Sequence, residues 1–273
     1  MTTSNVFREY AEEFERRLRL KTFPIAVKML EKEGDIPQGA TRPKRNLGYH
    51  LATCQGFAMS RREGTVVAML KEDMWCSESV IGFGLAEPPQ YFLDGYSRYP
   101  DDNASLEAGS TWAHEFPRFE AGKYVGIVSS PLATANFEPD VIILYCDSTQ
   151  LKVLLSAAAW REGHELTCTV SGKGACVYAV VPVMQHGRCQ VTVPCAGDKR
   201  FAMSQDCEMI FAAPHAKTEE LLVALRHLDK HGLQLPLSYM MMPEYELRES
   251  YAKIGKMMGM DIDRGKKSTI KKW

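Results

Sequence analysis

The chain has 273 residues, 45% of them hydrophobic and 25% charged, with a formal net charge of −1. That length suits one large domain or two small ones and is ample for a buried core. The near-neutral balance sets up no field that would favour nucleic acid or an anionic membrane, and the longest apolar runs, such as VIILYC at 141–146, are far too short to span a bilayer.

Residues 4–20 read as a helix, with Phe7, Tyr10, Phe14 and Leu18 on one face and Thr3 or Ser4 as its cap. This charged, amphipathic start lacks the apolar h-region of a secretory signal, so a cytoplasmic location is expected. FPIAVKML (23–30) reads as a strand entered through a proline, and 34–48 as loop. Residues 50–64 read as a helix stopped by Gly64, 65–70 as a strand and 76–85 as a short helix. From Glu87 to about Gly122 the periodicity dissolves into Pro, Gly, Asp and aromatics. Such a stretch is often functional or a lid; a short helix near 104–115 is the alternative.

The second half is plainer. Residues 140–146 read as a strand, 148–163 as a helix with a capping serine, 164–170 as a strand, 171–174 as a turn and 175–187 as a helix or turn around Pro182. Strands are expected at 189–195 and 208–214, and an amphipathic helix at 217–232 ending on Gly232. MMMPEYE (240–246) reads as adaptable methionine packing, and the basic RGKKSTIKKW (264–273) as a solvated tail.

One phrase is written twice. REGTVVAMLKEDMWC begins at Arg62 and REGHELTCTVSGKGAC at Arg161; each opens on Arg-Glu-Gly, runs through an extended segment and a turn, and ends on cysteine. Overlaying the surrounding elements predicts a single α/β domain over 1–273. Its mixed sheet is covered by helices and built from two pseudo-repeated β-α-β-α halves, about 21–86 and 138–232, with 87–137 as the connecting segment. Chance similarity is the alternative.

Eight cysteines in a reducing compartment argue against a disulfide framework. Cys76 and Cys176 each follow a strand and a turn and open a helix, where free N–H groups and the dipole favour a thiolate. Cys195 ends the strand CQVTVPC, and Cys54 is placed to reach the same crevice from the side. Ligands of open α/β sheets bind at that edge. Cys146, Cys168, Cys189 and Cys207 read as packing. Four converging thiolates suit an iron–sulfur cluster or a tetrahedral zinc, although separations of 21 and 18 residues are not the compact pairs of zinc ribbons or ferredoxins. Asp198 and Arg200 follow Cys195 and are candidate ligand-binding residues, since an arginine near a cluster can hold a carboxylate or tune the potential. A helix-capping Asp198 with a surface ion pair is the competing reading. SGKGAC (171–176) is no P-loop, G-x-S-x-G is absent, and no histidines pair as His-Glu-x-x-His.

PIAVKML, CQGFAMSRREG, WCSESVIGFGL, GKGAC and VPCAGDKRFA…DCEMIFAAP together resemble the DUF169 family, uncharacterised bacterial and archaeal proteins, many from anaerobes. The resemblance covers about residues 20–230. It implies that cysteines recur at the positions of Cys54, Cys76, Cys176 and Cys195, and it supplies no reaction. With ligands drawn from distant segments, it favours a [4Fe–4S] cluster over zinc. The resulting expectation is an iron–sulfur protein with a redox or electron-transfer role and a small ligand beside the cluster. A small-molecule-binding module without redox metal and a structural zinc protein with four cysteine ligands stay open, as do enzymatic activity and homo-oligomer formation. The expected partner is a redox protein or a small molecule, not nucleic acid or membrane.

Overall fold

The computed structural model describes residues 3–236 and 249–260 of two compact units, Met1–Leu235 and Pro236–Trp273. The methionine cluster at 240–246 and the basic tail at 264–273 lie outside the described residues. In the first unit, in chain order, stand α1 (Thr3–Leu18), β1 (Ile25–Leu30), α2 (Thr53–Ala58), β2 (Val67–Leu70), α3 (Ser77–Gly82), α4 (Gln90–Leu93), α5 (Leu106–Glu115), β3 (Gly126–Pro131) and β4 (Val141–Cys146). There follow α6 (Ser148–Ala159), α7 (Ala175–His186), β5 (Gln190–Thr192), α8 (Ala196–Phe201), β6 (Met209–Pro214) and α9 (Thr218–Leu228). The second unit contains α10 (Glu249–Met257). No helix among the described residues is long and apolar enough to cross a membrane.

The fold is α/β, as the strand–helix alternation predicts. One open six-stranded sheet runs in the order β2-β3-β1-β4-β6-β5, and each of its ladders is antiparallel. β3 and β4 are buried along their whole length because both faces are covered, and β1 is buried except at Lys28. Period-two alternation sends Ile25, Val27 and Met29 of β1, with Ile143 and Tyr145 of β4, into a core shared with Phe57, Ile81 and residues 177–183 of α7. α9 packs against both α1 and α6. α1 buries Phe7, Ala11, Phe14 and Leu18, the stripe its spacing predicts except that Ala11 replaces the half-buried Tyr10.

Two expectations fail, each for a physical reason. The connecting segment 87–137 holds β3, which lies between β1 and β2. Its sequence, GIVSSP, hides the strand because two serines interrupt the apolar run; both are buried and satisfied, Ser129 by a 2.8 Å hydrogen bond with Ser60 and Ser130 by donation to the Pro131 carbonyl at 3.0 Å. Conversely, 164–170 forms no strand. Only Leu166 and Cys168 within it are even half-buried, too little apolar area to hold a ladder. It lies beside the edge strand β5 through side-chain bonds: Gln190 Nε2 donates to the Thr169 carbonyl at 2.6 Å and the Val191 N–H to Cys168 Sγ at 3.3 Å. This blunts the edge without extending the sheet.

The repeated Arg-Glu-Gly phrases therefore do not fold alike. The sheet itself shows a different twofold pattern of connectivity. β1 and β4 pair at its centre, β3 and β6 flank them, and β2 and β5 form the edges. Each edge strand is reached from a helical stretch ending on a left-handed glycine, Gly64 (φ 77°) and Gly187 (φ 62°), where the absence of Cβ removes the steric penalty. Each edge strand then leads to a six-residue helix, α3 and α8. β3 and β6 both close on proline, Pro131 and Pro214, followed by a tight 3-10 turn.

Candidate four-cysteine site

The connectivity places the sulfurs in two matched pairs. Cys54 and Cys176 are each the second residue of a helix leading to an edge strand, α2 and α7. Cys76 and Cys195 are the N-caps of α3 and α8, the helices that leave the edge strands. The sequence overlay paired Cys76 with Cys176; the fold pairs Cys54 with Cys176 and Cys76 with Cys195.

All four line one cavity of about 320 Å³. Cys54 and Cys176 are buried, Cys76 and Cys195 half-buried. Gly197 marks how closely two of them approach: a methyl group added there would stand 3.6 Å from Cys195 Sγ and 3.7 Å from Cys54 Sγ. None of the other four cysteines lines this cavity. Cys146 and Cys189 are buried in packing, Cys168 is half-buried beside β5, and Cys207 is exposed, so packing does not account for Cys207.

Polar groups aim at the sulfurs from below. Ser79 shares a 3.4 Å hydrogen bond with Cys176, and the Ala175 N–H donates to Cys195. Asp198, fully buried, accepts from Cys195 Sγ at 3.2 Å and from the Tyr145 hydroxyl at 2.9 Å. Tyr145 in turn lies under the guanidinium of buried Arg61, 3.9 Å away, which is ion-paired with Glu208 at 3.0 Å. Burial is the leading cause that pushes the thiols of Cys54, Cys176 and Cys195 above the ordinary cysteine range. For Cys54 and Cys195 the negative charge of Asp198 follows; for Cys176 the nearby sulfurs of Cys76 and Cys54 follow. The three therefore stand as neutral thiols until something cationic replaces their protons.

The other end of the cavity is charged. Glu78, Arg98, Asp102 and Lys173 line it. Arg98 pairs with Glu78 and, at 2.6 Å, with Asp102, and it stacks 4.3 Å over Trp112. Lys173 donates to Asn103 at 2.7 Å. The long segment after Glu87 thus brings Arg98 and Asp102 to the site. Its length was the sequence signal; the particular residues had none. Trp75 and Phe201 form the rim in edge-to-face contact, centroids 5.2 Å apart. Arg200 is exposed and off the cavity wall. Asp198 is off the wall too and makes no surface ion pair; it lies beneath Cys195 and accepts from its N–H at 3.4 Å, capping α8.

Among the described residues, no group of three or more His, Cys, Asp and Glu side chains is arranged to hold a metal ion. The donor set is nevertheless all sulfur, four thiols on one cavity, with Gly197 in ordinary contact range of two of them.

Fold and site together define an open-sheet α/β protein with a shared four-cysteine pocket at its helix starts. The chain belongs to the DUF169 family, described as uncharacterised ArCR, which matches residues 13–224. It is similar to the uncharacterized protein MJ0308 of Methanocaldococcus jannaschii, 23% identical over 230 residues that cover 82% of this chain and 95% of that protein. No solved structure matches it.

Proposed function

We propose that the protein carries a [4Fe–4S] cluster on Cys54, Cys76, Cys176 and Cys195 and serves a redox or electron-transfer role. The observation that carries this reading is the convergence of these four thiols, from four separate helix starts, on one cavity of about 320 Å³. A single zinc ion, with Zn–S bonds of about 2.3 Å, would draw its four sulfurs tightly around one point. A polynuclear cluster carries its ligands on outer corners and takes wider spacing.

When bound, the cluster would supply one-electron chemistry. The chain's own part is to hold four thiolates, to keep space open at Gly197, and to bury Cys54 and Cys176 away from water. The cavity end lined by Glu78, Arg98, Asp102 and Lys173 is the place for a small polar ligand beside the cluster.

The test is analysis of protein purified without air. Iron and acid-labile sulfide in equal amounts, about four of each per chain, with an EPR signal on reduction, is the expected result. Colourless, iron-free protein would overturn it, and stoichiometric zinc would establish the structural alternative.

A further inference from the structure

Residues 164–171 lie along the edge strand β5 in one alignment. The Thr169 carbonyl accepts from Gln190 Nε2 at 2.6 Å, and the Ser171 carbonyl accepts from the Thr192 hydroxyl at 3.3 Å. Both contacts join residues 21 positions apart, so the two segments run in the same direction. The same offset one residue earlier sets Cys168 opposite Cys189. The Cys168 sulfur does reach the strand there, accepting the Val191 N–H at 3.3 Å. An extended chain advances about 3.3 Å per residue, so this sulfur lies within about 10 Å of the Cys189 Cα.

Both cysteines are free thiols, Cys168 half-buried and Cys189 buried. Cys189 nevertheless lines a cavity of about 420 Å³, which it shares with His164, Leu166 and Thr167 of the facing segment. Burial pushes its thiol up to about 11; Lys217 opposes that rise and the neighbouring Cys168 adds to it. The segment is tied to β5 by side-chain bonds rather than a backbone ladder, and most of residues 164–171 are exposed. Such a segment opens and shifts at little cost. It can settle onto the strand until the two Cα atoms stand about 4.4–6.8 Å apart, the span a disulfide needs.

We propose that Cys168 and Cys189 form a reversible dithiol–disulfide pair that fastens residues 164–171 to β5. The oxidant is a small-molecule disulfide. The Cys168 thiolate attacks one sulfur of that disulfide, forming a mixed disulfide and expelling one thiolate. The Cys189 thiolate then attacks the Cys168 sulfur, forming the protein disulfide and expelling the second. Two electrons pass from the cysteine pair to the oxidant, and the two protons the cysteines lose end on the two expelled thiolates. Neither cysteine lines the four-cysteine cavity, so the pair is independent of whether iron is bound. The fastened segment continues through Lys173 to Cys176, so the latch also anchors the turn that opens α7 at that site.

The probe is oxidised glutathione added to the full-length protein prepared without air, followed by alkylation of the remaining thiols and peptide mapping. A Cys168–Cys189 cross-link is expected, reversed by dithiothreitol and formed faster at higher pH as the thiolate fraction grows. Cys189 and Cys195 share a tryptic peptide, so fragmentation spectra assign the linked residue. Cys189→Ser should stop at the glutathione adduct on Cys168. Hydrogen exchange at the amides of 164–171 should slow several-fold in the oxidised parent and recover on reduction. A parent that keeps both thiols, halts at the adduct or links Cys168 to another cysteine overturns the pair. Equal exchange in the oxidised and reduced forms overturns the fastening.

Discussion

Cys54 and Cys176 occupy equivalent places: each is the second residue of a helix that leads, through a left-handed glycine, into an edge strand of the same sheet. With Cys76 and Cys195 capping the helices that leave those strands, the site is built twice from one plan and closed by bringing the two copies together. A donor set made this way is symmetric in kind although its members are far apart in sequence.

That equivalence predicts equal penalties. Serine at Cys54 or Cys176 should each remove most of the bound iron and the sulfur-to-iron charge-transfer absorbance. Cys207→Ser, at an exposed position off the cavity, should leave both intact. Iron analysis and visible spectra of the three variants decide it. Iron retained in full by Cys54→Ser or Cys176→Ser would remove that sulfur from the ligand set.

Gly197 tests the space rather than the ligands. A Cβ there makes only ordinary contacts with Cys195 and Cys54, so Gly197→Ala should fold and load normally. Gly197→Leu extends a branched side chain between those two sulfurs and should lower iron content several-fold. Circular dichroism should stay unchanged, because a half-buried residue near a helix start tolerates leucine locally. Full loading of Gly197→Leu would show that no group fills the space between the sulfurs.

Arg61 carries a stability prediction. Its side chain is fully buried, paired with Glu208 at 3.0 Å and stacked on Tyr145. Truncating it to alanine leaves buried Glu208 with only the more distant Arg62, at 3.7 Å, as a charged partner and should cost up to about 3–5 kcal/mol in denaturant unfolding. Arg61→Met combined with Glu208→Leu removes both charges and should recover much of that loss, a non-additivity that a double-mutant cycle measures directly. Simple additivity of the two single variants would argue against coupling.

His215 makes stability depend on pH. It packs edge-on against Phe7, and burial, the leading cause, lowers its pKa from the ordinary 6.5 against the opposing charges of Glu138 and Asp140. The folded chain therefore resists binding a proton that the unfolded chain accepts. Above about pH 6.5 both states are neutral and the contribution is fully present; it is lost as pH falls from there through the lower folded value. Urea unfolding at pH 5 and pH 8 should show a smaller difference for His215→Gln than for the parent. An equal difference would assign the effect to other groups.

The sequence by itself was enough for the α/β class, for most helices, and for the singling out of Cys54, Cys76, Cys176 and Cys195 as one set. Those signals are local: apolar periodicity along α1 and β4, glycine stops at Gly64 and Gly232, thiols opening helices at Cys76 and Cys176, and a thiol ending a strand at Cys195. Tertiary structure alone decided the rest. It turned GIVSSP into a strand next to β1, because hydrogen-bonded serines can be buried where their polarity argues otherwise. It left 164–170 outside the ladders, matched Cys54 with Cys176 rather than Cys76 with Cys176, and brought Arg98 from the long connection to the cavity. Strand order and cavity walls arise from contacts between residues distant in the chain, whose free energy depends on what the rest of the fold places opposite them, and no local pattern of residues encodes that.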